Sequence, residues 1–170
     1  MTKSTQPVGK KVYPVNMHSK PSTIVFCGSA SRFNYEKDGL RRNVFIDFVV
    51  EDLGIHPTDF VAIMVEGGPS AFAHQQQRPE DFGFLLSQLG RFVEKHYDSA
   101  KRIIFIGYQE CSYYLTLKHH PDLKDREKHD LPKGAKKVHN MTSGGEIECY
   151  YASFTGDRKG VTFERVPWGR

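Results

Sequence analysis

The chain has 170 residues, of which 26% are charged and 38% hydrophobic, and its formal net charge is +4. Such a mixture excludes an intrinsically disordered chain, which is poorer in apolar residues and further from neutrality, and the length suits one domain with its own core. The small positive excess, gathered at the two ends and in the 118–139 stretch, marks no nucleic-acid footprint, and no apolar run reaches the ~18 residues of a membrane span.

The start, Met1 to Lys11, is polar and basic without the apolar centre of a secretory signal, so the expectation is a soluble, cytoplasmic protein. Residues 1–21 carry Pro7, Pro14 and Pro21 among lysines and read as an N-terminal arm, lying on the surface or wrapping a partner subunit. The domain proper is expected over 22–170. Thr23-Ile24-Val25-Phe26 predicts a first buried strand that ends at Cys27-Gly28-Ser29, where a tight turn is permitted. Ser31 to Arg42 reads as a polar loop. Val44 to Leu53 has Phe45, Phe48 and Val49 at helical spacing, with Gly54 as its stop.

A second strand, Phe60 to Val65, ends in Glu66-Gly67-Gly68-Pro69, and Phe72 to Pro79 follows as a glutamine-rich loop. Asp81 is placed to cap a helix from about Phe82 to Tyr97, with Phe84, Leu85, Gln88, Leu89 and Phe92 as its apolar stripe. The third strand, Ile103-Ile104-Phe105-Ile106, is four apolar residues running straight into Gly107, the pattern of a strand buried on both faces. A helix is expected over Cys111 to Lys118. From there to Val138 the chain is charged and interrupted by Pro121, Pro132 and Gly134, so a short helix and surface loops are expected. Glu146 to Phe154 and Gly160 to Val166 flank a turn at 155–159 and predict two strands.

Strands alternating with helices specify an α/β fold: a mixed central sheet, parallel in its core with helical crossovers, finished by an antiparallel C-terminal edge strand. Ligands in such sheets bind at the carboxyl ends of the strands. Two of those ends carry thiols, Cys27 and Cys111. Both fit small buried hydrophobes, and if their strands are neighbours both also fit half of a tetrahedral zinc site. A third ligand would sit naturally three residues before Cys111, but that residue is Tyr108, whose hydroxyl ionises only near about pH 10. Three cysteines at wide spacing make no disulfide framework, and Cys149, in an alternating strand, reads as packing. The histidines His119, His120, His129 and His139 read as part of a solvated face, and His56 and His74 have no metal-ligand spacing. Gly67-Gly68-Pro69 lacks the Lys-Ser/Thr of a phosphate cradle and reads as a strand-end turn.

Taken together, these segments resemble the β-class carbonic anhydrases, particularly the short forms, over about residues 22–166. Cys27-Gly28-Ser29-Ala30-Ser31-Arg32 stands where that family has Cys-x-Asp-Ser/Pro-Arg after its first strand. Asp59 to Pro69 has the build of its middle strand with Arg-Asn-Ala-Gly. Ile106-Gly107-Tyr108-Gln109-Glu110-Cys111-Ser112 stands where it has strand-Gly-His-x-x-Cys-Gly, and Cys149 to Val166 is similar to its last strand with a Thr-Gly turn. The resemblance implies zinc held at Cys27 and Cys111, a histidine ligand that is Tyr108 here, and an aspartate–arginine pair of which Ser29 occupies the aspartate position. Arg32 supplies the arginine only with one residue inserted before it. The middle-motif arginine falls on Val65 or Glu66.

The same resemblance implies the sheet order second, first, third strand and then the tail, and subunits that pair at least as homodimers by exchanging N-terminal arms. The expectation is therefore a carbonic-anhydrase-like protein with a degenerate zinc site, zinc being absent or weakly held. Its cleft, lined by Cys27, Ser29, Arg32, Gly67, Gly68, Tyr108 and Cys111, would bind a small anion or serve an assembly, without nucleic-acid or membrane partners. The alternative is an active zinc lyase or hydrolase acting on CO2, COS or CS2 through a rearranged ligand set.

Overall fold

Residues 23–28, 31–65, 67–96, 102–116, 126–142 and 146–169 are described by the computed structural model. The strands are β1 (Thr23–Gly28), β2 (Asn34–Lys37), β3 (Leu40–Asn43), β4 (Phe60–Val65), β5 (Arg102–Tyr108), β6 (Glu146–Phe154) and β7 (Val161–Val166). The α-helices are α1 (Val44–Asp47), α2 (Pro79–His96), α3 (Tyr113–Thr116) and α4 (Arg126–Met141). A five-stranded sheet runs β4-β1-β5-β6-β7, parallel as far as β6 and antiparallel at β7. The predicted order and the antiparallel edge are thus both present. β1 and β5 lie inside the sheet and are apolar on both faces, as their unbroken Ile, Val and Phe runs require.

Alternation along the strands sorts the core into two layers. One face carries Phe26 and Phe105, which pack edge-on at 5.5 Å, with Phe72 stacked on Phe105 at 5.5 Å. Leu131 of α4 reaches the same face, where Gly107 leaves room for it and for Glu127. The other face carries Cys27, in register with Ile106, and beyond Ile106 the Tyr108 ring against Phe33 and Phe45. Phe48 meets Tyr150 there at 5.0 Å.

Several expectations need correction. Ser31 to Arg42 is not a loop: Ser31–Phe33 form a 3-10 turn and Asn34–Asn43 form the β2–β3 hairpin, turning at Asp38-Gly39, both with positive φ. The period-2 signal is weak because its side chains are mostly exposed and polar on both faces. The helix at 44–53 exists, but only α1 is α-helical; Phe48–Asp52 widens into a π-helical turn before Gly54 stops it at φ +66°. Gly68–Phe72, expected as turn and loop, is a fully buried 3-10 segment. In α2, Phe82, Leu85 and Leu89 are buried, whereas Phe84 is 53% exposed.

The largest departure is the charged stretch. Residues 126–141 form a 16-residue helix through Pro132, burying Glu127, Asp130, Leu131, Gly134, Ala135 and Val138. Gly134 and Ala135 keep its inner face narrow, so α4 approaches the 68–72 segment closely enough that a Cβ at Gly134 would sit 3.3 Å from the Pro69 carbonyl oxygen. The helix expected over Cys111 to Lys118 spans only Tyr113–Thr116 among the described residues. The arm over 1–21, the helix end at Tyr97, and His119 and His120 lie outside the described residues. None of the described helices is long and apolar enough to cross a membrane.

Candidate functional site

The tips of β1 and β5 meet the 67–72 segment, and most of the residues singled out from the sequence gather there. Gly67 and Gly68 both take left-handed backbone, at φ +77° and +53°. A side chain on Gly67 would strike the Tyr113 ring, and one on Gly68 would press on the Gly28 nitrogen at 3.2 Å and the Cys27 carbonyl carbon at 3.3 Å. Glycine at both positions therefore lets this backbone settle onto the end of β1.

Tyr108 is the centre of the tip. It is 1% exposed, its ring lies 5.0 Å from that of Phe33, and the Arg32 guanidinium sits 5.5 Å over its face. A Cβ at Gly28 would overlap Tyr108 Cε1 and approach Cζ to 2.9 Å, so the phenol ring fills the volume that a side chain after Cys27 would need. Burial, and then donation of the hydroxyl to the Cys111 sulfur, push the phenol well above its ordinary range. Cys111 is itself buried, and desolvation followed by the negative field of Glu127 pushes its thiol up to about 12, against a smaller opposing pull from Tyr108. Cys27 is fully buried, and burial alone pushes its thiol up to about 12.

Glu127, in the stretch expected as a short helix and surface loops, stands beside Cys111. Its Oε1 accepts from the Ser70 hydroxyl at 3.1 Å, and its Oε2 has no hydrogen-bond partner among the described residues. Desolvation pushes its carboxyl up to about 8, outweighing the downward pull of the Tyr108 backbone N–H, the Ser70 hydroxyl and the Cys111 thiol. One turn further along α4, Asp130 binds His74 Nε2 at 2.7 Å, the Tyr114 hydroxyl at 3.0 Å and the Lys133 ammonium at 2.7 Å. Burial acts to raise the Asp130 carboxyl, but His74 and Lys133 outweigh it and hold it down at about 2. His74 is thereby committed to a buried hydrogen bond with Asp130 that fastens the 68–72 segment to α4. Sequence could have found Glu127 and Asp130: positions 127, 130/131, 134/135 and 138 recur at helical spacing. Two acids at the head of that stripe hid it.

Arg32 is turned to the outside of the tip. It donates to the Gln109 carbonyl at 3.2 Å and to the Glu110 carbonyl, and its guanidinium lies 3.8 Å from the Glu110 carboxylate. Arg158 grips the same carboxylate through two bonds of 3.0 and 2.7 Å and holds the Glu110 carboxyl below its ordinary range. The structure thus brings Cys27, Gly67, Gly68, Tyr108 and Cys111 to one tip, with Arg32 across the Tyr108 ring; Ser29 lies outside the described residues. Cys149 is buried on the Leu131 side, its thiol 3.9 Å from the Leu131 carbonyl, as a packing residue would be.

Among the described residues no three His, Cys, Asp or Glu side chains are grouped closely enough to hold a metal ion. A zinc ion here would have to displace a proton from each of two buried thiols, and the third position offers a phenol that keeps its proton more tightly still. Where the resemblance implies an imidazole ligand, the described residues offer the Tyr108 phenol.

No protein-family model matches the sequence, and no curated protein matches it. Solved structures do. A carbonic anhydrase from Streptococcus mutans superposes with a TM-score of 0.52 at 12% identity, covering 92% of this chain and 88% of that one. The β-carbonic anhydrase CafA of Aspergillus fumigatus superposes with a TM-score of 0.51 at 12% identity, covering 89% of this chain and 78% of that one. The chain has a divergent β-carbonic-anhydrase-like fold.

Proposed function

We propose that this chain is a carbonic-anhydrase-like protein whose strand-tip site does not hydrate CO2 efficiently and instead takes a small anion or serves an assembly of at least two copies. The observation that carries the reading is Tyr108. At the place where the resemblance implies an imidazole ligand stands a buried phenol, which burial holds in its protonated form well above the ordinary range. A donor set of protonated thiols and a phenol supports neither a firmly held zinc nor the ionised water that hydration needs. An uncharged, hydrogen-bonding tip with Arg32 at its margin suits a small anion better than a metal cation.

A second reading has one observation in its favour. Glu127 presents an unpartnered, fully buried carboxylate oxygen beside Cys111, the kind of added ligand that an active zinc enzyme acting on CO2, COS or CS2 would need, though only after the side chains of the tip move closer together than they stand here. Metal analysis of the purified protein, followed by stopped-flow CO2 hydration, separates the two. The first reading expects far less than one zinc per chain and a hydration rate indistinguishable from buffer. One tightly held zinc with fast turnover refutes it. The variant Tyr108→His is expected to raise zinc affinity if the tip is a decayed metal centre.

A further inference from the structure

A cleft of about 730 Å³ opens between the Phe48–Asp52 turn and the β6–β7 hairpin, a volume in the range of small-molecule sites. Its floor is aromatic: Phe48 and Phe163 stack with centroids 4.0 Å apart, and Phe154 stacks on Phe33 at 5.6 Å. The two walls carry opposite charge. On the helical side stand Asp47, Glu51 and Asp52; on the hairpin side stand Arg158 and Lys159, joined by Arg32.

Internal pairing leaves charge over on both walls. Arg42 is shared between Asp47, at 2.6 Å, and Glu51, at 2.7 Å, so one guanidinium serves two carboxylates. Asp52 is exposed, and its carboxylate has neither a hydrogen bond nor an ion pair among the described residues. Opposite, Arg32 and Arg158 share the single carboxylate of Glu110, and the Lys159 ammonium has no partner among the described residues. A ligand bearing only negative charge gains from one wall and is repelled by the other, and the converse holds for a simple cation. An uncharged apolar ligand leaves both walls unanswered.

We propose that this cleft binds an apolar zwitterion of the amino-acid kind. The ammonium group is taken by the Asp52 wall, the carboxylate by the Lys159 wall, and a large apolar side chain lies against Phe48 and Phe163. Both charged groups of the ligand gain charge-assisted contacts while its apolar side chain leaves water, and this combination selects the zwitterion over an analogue that lacks either charge. The cleft shares Arg32 with the strand tip but uses neither thiol nor Tyr108, so a failure to bind the zwitterion would leave the metal-content and hydration tests of the tip untouched.

Titration calorimetry of the full chain tests it, with L-phenylalanine and its dipeptide as probes and with phenethylamine, 3-phenylpropionate and N-acetylphenylalanine amide as analogues lacking one or both charges. Saturable binding of at least one zwitterion is expected, with every analogue at least about tenfold weaker, the loss of one charge-assisted contact. Asp52→Asn should weaken the zwitterion and phenethylamine but not 3-phenylpropionate, and Lys159→Gln should weaken the zwitterion and 3-phenylpropionate but not phenethylamine. The proposal is overturned if neither zwitterion saturates, if the neutral amide binds equally well, or if both variants bind like the parent. It is also overturned if sedimentation shows a dimer that both variants dissociate, since a second copy of the chain would then be what the charged walls receive.

Discussion

Replacing Gly28 by alanine would drive a methyl group into the Tyr108 ring, overlapping Cε1 and lying 2.7 Å from Cδ1. The ring has little room to retreat. Phe33 stands 5.0 Å from it, Phe45 5.9 Å, and the Arg32 guanidinium 5.5 Å over its face. Overpacking a close-packed core costs about 1–3 kcal/mol, and a hemmed-in ring places Gly28→Ala at the top of that range, near about 3 kcal/mol. Tyr108→Ala should itself cost about 3–5 kcal/mol through the cavity it leaves. That cavity is where the new methyl group would go, so in the Tyr108→Ala background Gly28→Ala should cost less than about 1 kcal/mol. The pair is therefore coupled by about 2 kcal/mol or more in a double-mutant cycle. Urea unfolding followed by circular dichroism reads each corner; 3 kcal/mol moves the midpoint by about 1–2 M for a typical m-value. Gly83→Ala serves as the control, because nothing lies within 4 Å of the new methyl group in α2, and alanine in a helix interior should stabilise by about 0.5–1 kcal/mol. If Gly28→Ala costs the same with and without the Tyr108 ring, the claim that the phenol occupies the space after Cys27 is wrong.

Two further outcomes concern α4. Glu127 has its folded pKa raised to about 8, so the native state binds the extra proton between the unfolded value near 4.5 and 8; stability should fall as pH rises through that window. Glu127→Gln, which keeps an acceptor for Ser70, should flatten the slope in urea midpoints measured from pH 4.5 to 8, and an unchanged slope would remove Glu127 as its source. Asp130 works in the opposite direction: held down at about 2, it adds stability above its ordinary 3.8 and loses it as pH falls toward 2. Asp130→Ala, by stranding the buried His74, should cost about 3 kcal/mol at pH 7 and lessen the acid dependence below pH 4, as read by thermal melts. A loss under about 1 kcal/mol would mean that the His74–Asp130 contact is not what fastens the 68–72 segment to α4.

The sequence by itself determined the sheet. β1, β4 and β5 are continuous apolar runs, β6 and β7 flank a turn-rich gap, and strands and helices alternate as a parallel core demands. These signals are local, and they mark strands more surely than burial: β1 and β5 are buried as their runs declare, whereas the equally apolar β4, at the sheet edge, is mostly half-buried. The sequence also brought the chemistry-bearing residues Cys27, Gly67, Gly68, Tyr108 and Cys111 to the neighbourhood of strand ends, although the glycines expected to stop the strands lie within them: β1 includes Gly28, and β5 runs through Gly107 to Tyr108.

Only the tertiary structure decided what those residues touch. Ser70 meets Glu127 across 57 positions, His74 meets Asp130 across 56, and Arg32 meets Gln109 across 77. No periodicity in a window of one helix or strand carries such a pairing. Charge misled the reading of α4 for the same reason: an acidic residue is ordinarily on the surface, and Glu127 and Asp130 are buried only because the 68–72 segment and the tip of β5 bring them Ser70, His74 and Cys111. Gly28 is the plainest case. Its lack of a side chain looks like turn chemistry in the sequence, but in the fold it is the space taken by a ring eighty positions away, set there by parallel strands that lie side by side.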